Sequence, residues 1–118
     1  MYAFALLKTV FPDHPFRESR KFEKLWTHAK TEGYEKRLYE SDFAYPYNPP
    51  GFEMAYALEI FETRVNDRRH KQRKWLTEQV RLCFDFKSGL MTKGSKDPVT
   101  CASRIYEAVR LPDIELNQ

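Results

Sequence analysis

The sequence predicts an α+β fold that is mainly helical, with three to four helices and a small sheet or hairpin. Three observations carry that class. Residues 52–86 hold apolar positions at helical spacing with no internal glycine or proline. Short apolar runs with alternating character stand at 1–11 and 82–91. Turn-forming clusters built on Pro, Gly, Asp and Ser divide the rest into short elements. The 118 residues fit one domain, expected over 1–112, with 113–118 as a C-terminal tail.

Met1 to Phe11 admits two readings. Tyr2, Phe4, Leu6 and Lys8 alternate as in a strand, whereas Ala3, Leu6, Leu7 and Val10 share one helix face. Shortness and the Phe11-Pro12 stop favour the strand. Pro12 to Pro15 is a turn, and Phe16 to Glu32 then reads as an amphipathic helix closed by Gly33. Its apolar face is Phe22, Leu25, Trp26 and Ala29. Tyr34 to Glu40 fits either a helix or a strand. In Ser41 to Pro50, Phe43, Tyr45 and Tyr47 alternate among prolines that block helix and most sheet pairing, so an extended aromatic loop is expected.

The stretch from Pro49 to Phe86 dominates the chain. At 100° per residue, Met54, Leu58, Phe61, Val65, Leu76 and Cys83 share one arc, with Arg68, Arg69 and Gln72 lying between them on it. From Arg64 to Lys74 basic side chains point all round the axis against one acid, Asp67. Such a turn is expected to stand in water. An unbroken helix of this length would reach roughly 48 Å, more than a globule this small accommodates, so the helix either projects or breaks near Asn66-Asp67. Leu82 to Phe86 and Leu90 to Thr92 are the candidate hairpin strands around Lys87-Ser88-Gly89. Asp97-Pro98 opens the last helix as cap and first residue, with Ala102, Ile105, Tyr106 and Val109 as its inner face.

Charged residues make up 31% of the chain and aromatics 15%, which argues for a packed core and against disorder. A formal charge of +3 permits a nucleic-acid partner without requiring one. No run is long enough to span a membrane. Cys83 and Cys101 read as buried free thiols, which suits the cytoplasm. His14, His28 and His70 lack ligand spacing, so no metal and no cofactor is expected. No nucleophile elbow, phosphate loop or dinucleotide fingerprint occurs.

These readings point to a small non-enzymatic binding module. The leading version contacts nucleic acid or a nucleoprotein complex through Arg64, Arg68, Arg69, Lys71, Arg73 and Lys74, with Trp75 stacking on a base. The alternative is an inhibitor or adaptor docking on an acidic protein surface, with Tyr45 and Tyr47 as apolar anchors. A lesser reading is a metal-dependent nuclease. The short Pro-Asp…Asp-x-Lys pattern, whose carboxylates hold a divalent ion while the lysine activates water, occurs as Pro12-Asp13 and Asp85-Phe86-Lys87. The long helix between them does not suit that chemistry's strand-turn-strand core.

Overall fold

A computed structural model describes residues 1–31, 36 and 49–116. The elements in order are α1 (Tyr2–Val10), a 3-10 turn (Pro15–Glu18), α2 (Arg20–Ala29), α3 (Gly51–Phe61), α4 (Val65–Cys83), α5 (Pro98–Ser103) and α6 (Ile105–Ala108). The expected sheet is corrected: the described residues are helical where they are regular, and no strand occurs among them. The helix end expected at Gly33, most of the Tyr34–Glu40 segment and Tyr45 and Tyr47 lie outside the described residues.

The first correction concerns α1. Ala5 is fully buried, Tyr2 and Leu6 pack on the same core, and Thr9 Oγ1 lies 3.2 Å from the Tyr56 hydroxyl. Positions 2, 5, 6 and 9 are spaced i, i+3, i+4, i+7, and this helical register wins over the alternation of 2, 4, 6 and 8. Ser19 accepts from the Phe22 N–H at 3.2 Å and starts α2, which buries Phe22, Trp26 and Ala29 and leaves Leu25 outside. Phe22 and Trp26 both meet the Phe61 ring, at 4.8 and 5.5 Å between centroids.

The long stretch breaks at 62–64, earlier than Asn66-Asp67, and folds back as an antiparallel helical hairpin. Its arms are about 16 and 28 Å long at 1.5 Å per residue, which removes the length problem. α3 is the central element, buried on nearly every side. It contributes Met54, Tyr56, Ala57, Leu58 and Phe61 to a core shared with α1 and α2. Phe52 and Ala55 enter a second core with Leu76, Cys83, Met91 and Cys101. In that second core Cys83 and Cys101 are buried free thiols.

The candidate hairpin reduces to one rung. α4 runs through Cys83, so only Phe84 to Phe86 precede the turn, too few for a strand. Asp85 N–H donates to the Leu90 carbonyl at 2.8 Å, and Gly89 closes the turn at φ +70. The Asp97 carboxylate caps the Thr100 N–H at 3.1 Å and Pro98 follows it, as expected. The last helix then breaks at Arg104. No helix among the described residues is long and apolar enough to cross a membrane.

Candidate functional site

The hairpin interface decides what the basic stretch is available to do. The inner stripe of α4 is Gln72, Leu76, Gln79 and Cys83, spaced i, i+4, i+7, i+11. The arc does not end at the polar residues; it continues through them. Gln72 Nε2 donates to the Ala55 carbonyl at 3.0 Å and to Glu59 Oε2 at 2.8 Å. Gln79 Oε1 accepts the Gly51 N–H at 2.6 Å, satisfying one of the donors left open at the start of α3. Each buried amide thus ties α4 to the main chain of α3 through one of its two ends, while Gln72 Oε1 and Gln79 Nε2 are buried without a hydrogen-bond partner.

The basic residues divide along the same geometry. Arg68 is only 18% exposed; its Nε lies 3.6 Å from Glu59 Oε2, and Nη1 reaches the Glu59 and Glu62 carbonyls at 3.5 and 3.4 Å. Glu62 is buried and gathers Lys30 at 3.7 Å and Arg64 and Lys71 at 4.0 Å each. Arg64 is 76% exposed and pairs with Asp67 at 3.2 Å. Burial pushes the Glu62 carboxyl up, but the Arg64 N–H with Lys30, Lys71 and Arg64 outweighs it and holds the group below the ordinary carboxylate range. Arg73 Nε donates to the Glu115 carbonyl at 2.9 Å. Lys74 is exposed, while Trp75 is half-buried against the first core. The predicted set therefore shares one helix without sharing one free surface. The expectation that the whole turn stands in water is corrected: α3 supplies carbonyls and carboxylates where apolar partners were assumed.

Arg69 and Arg73 stand one turn apart and line an open cavity of about 520 Å³ with Asp113, Ile114 and Glu115. Arg69 Nη1 is covered by protein and, like Arg68 Nε, has no hydrogen-bond partner. Residues 113–115 were not singled out from sequence, because a polar terminal segment carries no period that would place it on α4.

The last helices hold a second surface. Arg104 Nη1 bonds Glu53 Oε2 at 3.1 Å and both Glu107 oxygens at 2.8 and 2.9 Å. This clasp turns Glu107 inward and rotates its neighbours out. Ile105 and Val109, expected inside, are 53% and 76% exposed, and Tyr106 and Val99 are exposed with them. Burial pushes the Glu107 carboxyl up despite Arg104.

Of the nuclease pattern, Asp85 is committed to a turn. Asp85 accepts from the Lys87 N–H at 2.9 Å and the Ser88 hydroxyl at 2.8 Å, so its oxygens serve the turn. Its carboxyl is lowered by those two bonds. Among the described residues no three His, Cys, Asp or Glu side chains are grouped to hold a metal.

No protein-family profile and no solved structure matches the chain. A curated protein of Haloferax volcanii named archaeal glycosylation protein Q is 35% identical to it over 116 residues. The similarity takes in 98% of this chain and 30% of that protein. The chain thus spans less than a third of the length of that relative.

Proposed function

We propose that this chain is a non-enzymatic helical binding module that serves a glycosylation process by docking on another protein through the apolar face of residues 99–109. The process comes from the similarity to part of archaeal glycosylation protein Q. The mode of action comes from one observation: Ile105 and Val109 face solvent while Glu107, between them in sequence, is buried. Apolar side chains clustered at the surface around a fixed helix turn are the ordinary means of burying area against a protein. The partner offers a complementary apolar surface, and Tyr106, held edge-on at 5.7 Å from the Tyr2 ring, adds a rigid anchor.

The protein reading is preferred to a nucleic-acid reading on charge. Arg64, Arg68 and Lys71 have carboxylate partners, and Arg73 is tied to the Glu115 carbonyl. A backbone-tracking surface needs its cations unspent. We place the module in the cytoplasm, where Cys83 and Cys101 stay reduced.

The test is a pull-down from host extract at low and high salt, with and without nuclease. Retention of a protein partner is expected to survive high salt and nuclease and to be lost in Ile105→Asp/Val109→Asp. Both substitutions are at exposed positions, so the circular dichroism melt is expected to be unchanged. Retention that disappears with nuclease and ignores the double substitution would support the basic stretch instead.

A further inference from the structure

We propose that the turn at residues 84–90 anchors the protein on an anionic membrane surface, seating Phe86 and Leu90 among the lipid headgroups. This turn belongs to a different segment from the docking face of residues 99–109, and its test needs no protein partner.

Phe86 motivates the proposal. At 88% exposed, it is the most exposed large apolar side chain among the described residues. Leu90, on the same turn, is 54% exposed. Between them stand Lys87, Ser88 and Gly89, all exposed. The fold gives this tip a root but no cover. Phe84 is half-buried against the second core and meets Phe86 edge-on, at 5.0 Å between ring centroids. Two apolar side chains held out on a short turn can bury area only against something outside the chain.

The backbone of the turn suits shallow burial, because a main-chain N–H taken out of water needs a partner within the protein. Asp85 N–H donates to the Leu90 carbonyl and Gly89 N–H to the Asp85 carbonyl, at 2.8 Å each. Lys87 N–H donates to Asp85 Oδ1 at 2.9 Å, and Leu90 N–H to Ser88 Oγ at 3.4 Å.

Charge selects the surface. Residues 84–96 carry Lys87, Lys93 and Lys96, all exposed, against one acid, Asp85. The Asp85 carboxylate is taken up by the Lys87 N–H and the Ser88 hydroxyl. Lys93 N–H donates to the Cys83 carbonyl at 2.8 Å, which brings that lysine back beside the base of the turn. An aromatic tip with lysines around it matches anionic lipid: the ring enters the headgroup layer and the ammonium groups meet the phosphates. A protein surface would need a pocket shaped for the projecting ring, whereas a fluid headgroup layer needs none. The turn would lie on the membrane without crossing it.

The experiment is co-sedimentation of the full chain with vesicles of phosphatidylcholine alone and of phosphatidylcholine mixed with phosphatidylglycerol. Binding to the mixed vesicles is expected to be at least about tenfold tighter than to the neutral ones. Phe86→Ala is expected to weaken it by about tenfold, and Lys87→Glu/Lys93→Glu to abolish it. Ile105→Asp/Val109→Asp should leave it unaltered. All these substitutions are at exposed positions, so melting temperatures should not change. Absence of binding to the mixed vesicles overturns the proposal. So does equal binding to neutral vesicles, binding unaltered by Phe86→Ala, or loss of binding in Ile105→Asp/Val109→Asp. A lower melting temperature in Phe86→Ala would make the ring structural and overturn it equally. A protein captured from extract by the parent and lost in Phe86→Ala, without vesicle binding, would assign the turn to a protein partner instead.

Discussion

A Cβ placed on Gly51 would lie 2.6 Å from the Trp75 carbonyl oxygen and 2.6 Å from Gln79 Cβ. The first of these neighbours is backbone and cannot rotate away. Gly51 therefore sets how closely the two arms of the hairpin approach, and the Gly51–Gln79 bond exists only at that distance. Gly51→Ala is expected to destabilise the protein by about 1–3 kcal/mol, as overpacking commonly does, measured by urea unfolding. Glu62 yields a pH prediction at the same scale. Its folded pKa lies below the ordinary value of 4.5, so it adds stability above that value, and the contribution is lost as pH falls through the folded pKa. Glu62→Gln is then expected to lose most stability near neutrality and little in acid. Glu107 is raised, so its contribution has the opposite slope: the ionised form is the one the fold disfavours. Relative to the parent, Glu107→Gln should fare better as pH rises from 4 toward 7. Thermal melts across that range read both slopes, and parallel slopes would contradict the assignment.

Among the elements, α4 shows that a helix rich in cations need not be a cationic surface. Arg64 and Arg68 lie one turn apart, yet one is 76% exposed and the other 18%. Arg64→Ala is expected to change stability by less than about 0.5 kcal/mol, as for an exposed ion pair. Arg68→Ala should cost about 1–3 kcal/mol, because it leaves the half-buried Glu59 carboxylate with the Gln72 amide but no cation and removes bonds to two carbonyls. Equal effects in urea unfolding would contradict this division. Much of the α4 geometry was legible in advance: the arc carrying Leu76 and Cys83 also carries Arg68, Arg69 and Gln72, and from Arg68 onward that arc is the inward one, whereas Val65, expected on it, is 56% exposed at the helix start. What a single sequence did not convey was the partner. Polar residues on an inward arc are ruled out only when the facing element is apolar, and here it is a helix start with an open N–H, a carbonyl and Glu59. The same reason explains the last helix. Asp97-Pro98 marked its start correctly, but the Arg104 clasp on Glu53 and Glu107 reset its phase, and that clasp joins residues about fifty positions apart in the chain. The lean toward a strand at α1 was wrong because nine residues are too few for period alone to separate 2-5-6-9 from 2-4-6-8.

At the scale of the molecule, a few charged side chains, Glu62 and Glu107 above all, turn inward while several apolar ones turn outward. α3 organises this inversion: it sits between two cores, takes the polar side chains of α4 on its main chain, and holds α5 and α6 through Glu53. The expected hairpin of strands has no place in such an arrangement, since α4 uses the residues that one strand would have needed. The exposed apolar side chains of residues 99–109 are then a feature that the fold's own stability does not explain. The most direct measurement is the glycan mass profile of glycoproteins from host cells lacking this chain, complemented either with the parent sequence or with Ile105→Asp/Val109→Asp. Loss of the chain should alter the profile, the parent should restore it, and the double variant should fail to do so while accumulating to the same level. An unaltered profile after loss, or full restoration by the double variant, would contradict the account.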